Sequence, residues 1–138
     1  MEELELIKKN LKKYNKQISQ NKAKQQEYKN TVNSITEIYD RMLEDKETII
    51  SYKNSLKDFS NEEFDKFKGK LYKDIYRKKI ENIIDNYNTV IKNIDSNLDN
   101  LNNVRAQYES KMYQCNGALG YLQSMANSLA RKIENWTN

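Results

Sequence analysis

The sequence contains no proline and no histidine, and it has one cysteine and three glycines among 138 residues. Because proline is the strongest breaker of helices, its absence permits helices of unusual length. Histidine is the commonest acid–base residue and metal ligand, so its absence removes the usual centre of a catalytic or metal site. The lone thiol, Cys115, has no second cysteine with which to form a disulfide. We therefore expect no enzyme activity, no cofactor and no bound metal.

Long apolar runs are also missing, since no stretch approaches the roughly 20 residues that a membrane-spanning helix needs. The first residues are acidic and soon become amphipathic, which is not typical of a cleavable signal peptide. We expect a cytoplasmic protein without a membrane span. The net charge is +4, and the most basic stretch, 61–80, interleaves acidic residues at helical spacing, as in Glu62 with Lys66. This pattern is typical of a solvated helix face, so we expect no specific nucleic-acid binding.

Apolar residues recur at alternating steps of three and four along nearly the whole chain, a series that we call the seam. In the first half the seam contains Leu4, Ile7, Leu11, Tyr14, Ile18, Tyr28, Val32, Ile35, Tyr39 and Met42. In the second half it contains Ile80, Ile84, Tyr87, Ile91, Ile94, Leu98, Leu101, Tyr108, Met112, Cys115, Leu119, Leu122, Ala126, Leu129, Ile133 and Trp136. A sustained period of 3.5 residues is typical of a coiled coil. Because so narrow a stripe cannot bury itself, the chain must fold back or find partners.

This pattern predicts an all-α fold with a single domain over residues 1–138. We expect a helix over about 2–57, a turn at about 58–61 and a second helix over about 61–136. The matching phase of the two seams predicts that the helices pack as a long antiparallel coiled-coil hairpin.

The turn is predicted from four residues. Ser60 and Glu63 have the S-x-x-E form of a capping box, in which the serine caps the start of a helix. Phe59 and Phe64 occupy the two positions of a hydrophobic staple around the same cap.

Two irregularities interrupt the seam. Its polar members are Asn21, Gln25, Lys46, Lys53 and Arg105. Such residues either set register and partner choice or belong to frayed, hydrated layers. The spacing also slips between Ile75 and Ile80, where Tyr72, Tyr76 and Ile83 broaden the apolar side. A slip of this kind predicts a wider buried face.

A turn at 58–61 would place Leu4 beside Cys115 and leave later residues beyond the reach of the first helix. This overhang begins at 116–120, where a break is possible, and carries the apolar residues Leu122, Leu129, Ile133 and Trp136. Either the tail folds back as a short third helical segment or another chain covers it, and we favour another chain. Because an unpaired apolar stripe marks an interaction site, we predict these four residues as partner-binding.

The tripeptide Phe67-Lys68-Gly69, just after the predicted turn, resembles the Trp-x-Gly motif of the WXG family of small type VII secretion proteins. It is more similar to the longer Gram-positive relatives that accompany LXG-type toxins, in which a coiled-coil hairpin has an aromatic-x-Gly element near its bend. Phe67 and Gly69 are therefore the candidate bend motif, with Phe64 as a second aromatic residue at the tip.

The resemblance implies a helical interaction protein that serves as a chaperone or targeting partner of an LXG-type toxin. Its partner would be the N-terminal domain of the toxin or a second small helical protein. The family's export signal, Tyr-x-x-x-Asp/Glu, is missing, since Tyr108 and Tyr121 are followed four residues later by Met112 and Met125. The resemblance therefore implies type VII export together with a partner that supplies the signal. The alternative is a purely structural, self-associating coiled coil, such as a homodimer.

Overall fold

The computed structural model describes the backbone of residues 2–64 and 69–137, and side chains within 2–61 and 74–136. It contains two long α-helices, α1 (Glu2–Phe64, 63 residues) and α2 (Lys70–Thr137, 68 residues). Every described residue except Gly69 is helical. The predicted all-α helical hairpin is confirmed.

Helix α1 begins where the sequence predicts, with Glu2, Glu3 and Glu5 in its first turn. Acidic side chains at this end interact favourably with the partial positive charge of the helix N-terminus. Hydroxyl side chains inside the helices donate to the carbonyl oxygen four residues earlier, as Thr31 does to Glu27 at 3.1 Å. These residues are therefore accommodated without a break, and no proline interrupts either helix.

The chain forms two compact units, each made of one segment of α1 and one of α2. Unit 1 comprises Met1–Ile35 with Val104–Asn138, and unit 2 comprises Thr36–Asn103. In unit 1, Gln25 donates a hydrogen bond from its amide to the side-chain oxygen of Asn116. In unit 2, Lys46 Nζ lies 2.6 Å from Asp95 Oδ1.

The predicted seam is the core of each unit. Ile35, Leu98 and Ala126 are buried, and the other seam residues with described side chains are half-buried, apart from the exposed Trp136. The polar seam residues, including Asn21 and Lys53, are half-buried as well. Since two helices have only one line of contact, each seam side chain is covered from one side and its edges remain in contact with water.

The predicted turn at 58–61 is wrong, because α1 continues through these residues to Phe64. Ser60 is not a helix cap. Its side chain is 8% exposed and occupies a seam position, where it lines a shallow cavity with Ile80 and Ile84. Sliding one helix past the other by whole heptads keeps every seam residue on the seam, so the heptad phase alone does not locate the turn.

The predicted overhang is also wrong. Helix α2 is continuous through 116–120, so it forms no third segment. At its end, Leu129 and Trp136 line one cavity with Leu6 and Ile7 of α1. Because α1 continues to Phe64, its first turns lie alongside this tail. Complete burial of a leucine or isoleucine side chain contributes about 1.5–3 kcal/mol. Covering the tail therefore favours the observed register over the predicted one.

Candidate interaction surface

One heptad position in each helix lies beside the seam, three residues after one seam residue and one before the next. In unit 1, Asn10 and Lys132 occupy this position on the two helices, and both line a cavity of about 540 Å³. Lys111 occupies it as well, and its Nζ lies above the ring of Tyr28 on α1. Antiparallel packing therefore brings this position of both helices to a common side, which we call the first flank.

In unit 2 the first flank is apolar and open to solvent. Apart from Asp45 and Asn97, the residues at this position are large, apolar and between 42% and 60% exposed. We call this set the apolar flank, and it consists of Ile38, Tyr52 and Phe59 on α1 and Tyr76, Ile83 and Val90 on α2. Large apolar side chains exposed in rows of this kind mark surfaces that bind other molecules.

The predicted widening of the buried face near the start of α2 is wrong. Tyr76 is 42% exposed and Ile83 is 44% exposed. Two helices offer a single seam, so a second apolar side is covered only when a third element packs on it. The slip in spacing therefore produces an exposed apolar side instead of a broader core.

The opposite side of the seam, the second flank, is polar in unit 2. The ion pair of Lys46 with Asp95 lies here, with side chains 26% and 49% exposed. Nearer the start of α2, a cavity of about 390 Å³ is lined by Lys57, Arg77 and Glu81, beside Ser60. Exposed ion pairs contribute about 0–1 kcal/mol, so this side adds solubility more than stability.

In unit 1 two tyrosines of the seam pack against each other. The rings of Tyr28 and Tyr108 have centroids 5.9 Å apart and are tilted by 56°. Lys111 Nζ lies 4.8 Å from the centroid of Tyr108 and 5.8 Å from that of Tyr28. The ammonium group thus lies near the electron-rich faces of both rings, where cation–π attraction is favourable.

A polar layer lies next to these tyrosines. It contains the Gln25–Asn116 hydrogen bond and Asn21, whose Oδ1 is buried without a hydrogen-bond partner. A buried amide oxygen without a hydrogen-bond partner destabilises the packing of the two helices. The Gln25–Asn116 hydrogen bond, in contrast, forms only in one register of the two helices, because another alignment would separate these two residues.

The predicted partner-binding residues lie in unit 1, at the end that contains the first turns of α1 and the last turns of α2. Leu122, Leu129 and Ile133 are half-buried on the seam, and Trp136 is 47% exposed. The expectation that α1 does not reach these residues is wrong, since Leu129 and Trp136 line a cavity with Leu6 and Ile7 of α1. Binding of a partner by these residues stays a prediction, and among them Trp136 offers the largest exposed side chain.

The bend motif is described only in part. Gly69 lies outside both helices, is exposed and directly precedes Lys70, the first residue of α2. The expectation that this glycine lies inside a helix is therefore wrong. Phe64 is the last residue of α1, its side chain lies outside the described residues, and the whole of Phe67 lies outside them.

Neither helix contains, within its described residues, a stretch apolar and long enough to cross a membrane. In the same residues, no three potential metal-ligating side chains come together. Comparison of the chain with models of protein families, with curated proteins and with solved structures finds no match.

The sequence does carry a signal for the apolar flank. Ile38, Tyr52 and Phe59 are separated by multiples of seven, as are Tyr76, Ile83 and Val90. A second apolar heptad series beside the seam predicts a second contact surface. In the prediction from the sequence, Tyr76 and Ile83 belong to a broadened core and Phe59 to a staple, so the six residues are not connected as one series.

Proposed function

We propose that this chain is a helical interaction protein whose apolar flank binds the helices of a protein partner. The observation that carries the proposal is the apolar flank itself, with six large side chains exposed beside an already occupied seam. An amphipathic helix binds by placing its apolar face against a hydrophobic groove, and the flank offers two rows of apolar residues at heptad spacing on adjacent helices.

The partner that we propose is the N-terminal domain of an LXG-type toxin or a second small helical protein. The chain would then act as a chaperone or targeting factor and leave the cell with its partner by type VII secretion. The resemblance of Phe67-Lys68-Gly69 to the WXG motif supports this proposal, and so does the location of Gly69 directly before α2. A bend is where that family carries its motif.

Co-expression with the helical N-terminal domain of an LXG-type toxin, followed by size-exclusion chromatography, tests the proposal. We expect a complex with the natural chain. The double change Tyr52→Glu with Ile83→Glu should abolish the complex, because it places charge in the contact. The matched control is Ser51→Glu with Asn82→Glu, whose positions are exposed and adjacent in sequence but lie away from the flank.

Loss of the complex in the flank variant and its retention in the control would support the proposal. Circular dichroism should show both variants helical, since all four positions are exposed. Undiminished binding by the flank variant would refute the apolar flank as the docking surface. A chain that binds no toxin domain and forms a homodimer through the flank would instead support the alternative, a self-associating structural coiled coil.

A further inference from the structure

The first flank of unit 2 has one layer that is not apolar. On α1, Asp45 lies one heptad after Ile38 and one heptad before Tyr52. On α2, Asn97 lies one heptad after Val90. Both Asp45 and Asn97 are exposed. A helix that covers Ile38 and Tyr52 therefore passes over a carboxylate.

The two polar residues lie close to the same level of the helix pair. Lys46 of α1 contacts Asp95 of α2, with Nζ 2.6 Å from Oδ1. Asp45 directly precedes Lys46, and Asn97 follows Asp95 by two residues. Because the two helices run in opposite directions, these offsets bring Asp45 and Asn97 to neighbouring places on the first flank. We call these two residues the Asp45 layer.

The side chain of Asp45 makes no ion pair or hydrogen bond within the part of the chain that the structure describes. Its neighbour Lys46 pairs with Asp95 on the second flank instead. Arg41 lies one turn before Asp45 and forms no ion pair with it. A basic residue four positions before an acidic one is also the weaker of the two orders on a helix. The negative charge of Asp45 is therefore accessible to a group on another molecule.

The surface around the apolar flank has little other charge. Its rim consists of the residues three after or four before each position of the first flank, on the side away from the seam. The described rim residues of unit 2 are two basic ones, Arg41 and Lys79, and otherwise uncharged threonine, serine and asparagine. Among the flank and rim residues that the structure describes in unit 2, Asp45 is thus the single acidic side chain.

A helix that docks on the flank removes the Asp45 carboxylate from water. Burial of an ionised carboxylate without an opposite charge is strongly unfavourable. A basic side chain on the docked helix would compensate for this cost, because charge-assisted hydrogen bonds are strong and arginine donates two of them to one carboxylate. The amide oxygen of Asn97 is able to accept a further hydrogen bond in the same layer. The Asp45 layer therefore disfavours a fully apolar helix and favours one with a cation at this level.

We propose that the helix bound by the apolar flank carries one basic residue, an arginine or a lysine, that pairs with Asp45 in an otherwise apolar contact face. This inference rests on the proposed function, because it names the chemistry of the partner for the same surface. Ile38 and Phe59 are three heptads apart, roughly 30 Å along α1, so the contact face spans about three heptads. A polar residue in a single layer also fixes register. Asp45 therefore selects the partner and its alignment together.

Binding of two synthetic helical peptides to the full chain tests this inference. Each peptide has three heptads with leucine in its contact layers, and the two differ only in the central layer, which holds arginine in one and leucine in the other. The central placement lets the arginine reach Asp45 while the outer layers cover Ile38 and Tyr52, whichever direction the peptide runs. Fluorescence anisotropy measures the dissociation constant of each peptide.

We expect the natural chain to bind the arginine peptide about tenfold more tightly than the leucine peptide, because only arginine pairs with Asp45. Asp45→Leu should reverse this preference, since it makes the flank continuously apolar. The matched control is Glu44→Leu, which removes an exposed acidic residue from the adjacent position, away from the flank. This control should keep the preference of the natural chain. Its loss in the control would assign the preference to general charge attraction and overturn the role of Asp45.

The variant Tyr52→Glu with Ile83→Glu separates failure of this inference from failure of the proposed function. If this variant loses both peptides but the natural chain does not prefer arginine, the inference is overturned and the flank remains the docking surface. If the variant still binds both peptides, the flank is refuted as the docking surface. A natural chain that binds neither peptide would overturn the inference alone, because the complex with the toxin domain tests the proposed function separately.

Discussion

Lys111 contacts two aromatic rings from a single position of unit 1. Its aliphatic stem lies on the first flank, and its ammonium group lies within 6 Å of both tyrosine ring centres. A lysine in this geometry attracts the ring faces without being buried, and such a contact contributes about 0.5–1 kcal/mol at an exposed site. Lys111 thereby links α2 to Tyr28 of α1.

Replacing Lys111 by methionine keeps the stem and removes the charge. We expect the free energy of unfolding to fall by about 0.5–1 kcal/mol, measured by urea titration followed by circular dichroism. Lys111→Arg should retain the stability, because a guanidinium group also stacks on aromatic rings. The control is Lys24→Met, an exposed lysine at the same heptad position of α1. Equal losses in the two methionine variants would contradict the cation–π contribution.

At the scale of the element, the end of α1 depends on the role of Ser60. A helix-capping serine loses about 1 kcal/mol when it is changed to alanine, whereas a serine inside a helix gains a few tenths, because alanine is the better helix former. In the structure Ser60 lies inside α1 on the seam. The two roles therefore predict opposite signs for the change in the free energy of unfolding when Ser60 is replaced by alanine.

We expect Ser60→Ala to raise the free energy of unfolding by about 0.5 kcal/mol. Thermal unfolding followed by circular dichroism measures the change, with Ser51→Ala as an exposed control inside the same helix. A drop of about 1 kcal/mol in Ser60→Ala alone would mean that α1 ends before this residue in solution.

Helices and seam could be predicted from the sequence almost residue by residue, because a period of 3.5 is a local property. The register of the two helices could not be predicted, since the predicted and observed alignments differ by about three heptads and both keep the two seams in phase. What distinguishes them is the cover that α1 provides for Leu129 and its neighbours. The free energy of this burial comes from contacts between residues far apart in the sequence, so no local motif indicates it.

The surface was harder to predict than the core. Ile83 and Ile84 are the same residue type side by side, yet one is exposed and the other half-buried. Composition does not separate them, since only heptad phase assigns Ile84 to the seam and Ile83 to the flank.

For the whole molecule, the observed register makes the C-terminal stripe part of the fold. Leu129 and Ile133 are half-buried on the seam of unit 1, and Leu129 lines a cavity with Leu6 and Ile7 of the first helix. We expect the double change Leu129→Glu with Ile133→Glu to lower the free energy of unfolding by about 3 kcal/mol or more in the isolated chain. The control Tyr121→Glu, at a position 62% exposed, should change it by less than about 0.5 kcal/mol.

Urea titration and hydrogen exchange of unit 1 measure this difference. If the double variant is as stable as the natural chain but fails to bind a partner, the C-terminal stripe is a partner-binding surface and not part of the core. The helical content of the two glutamate variants at low temperature provides the check that the chain is still folded when the titration begins.

The meeting of Glu3 and Asn135 in one cavity determines how the chain responds to a pulling force. A load applied between the start of α1 and the end of α2 acts across the helix pair instead of along it. Seam layers of unit 1 therefore separate one after another, beginning with the layer nearest these two ends. Each step breaks one layer, and the force required is that of unzipping instead of shearing. The polar layer of Asn21 and Gln25 lies on this path. A force that pulls the two termini of unit 1 apart therefore meets weak resistance at each step, and the layers open in sequence instead of all at once.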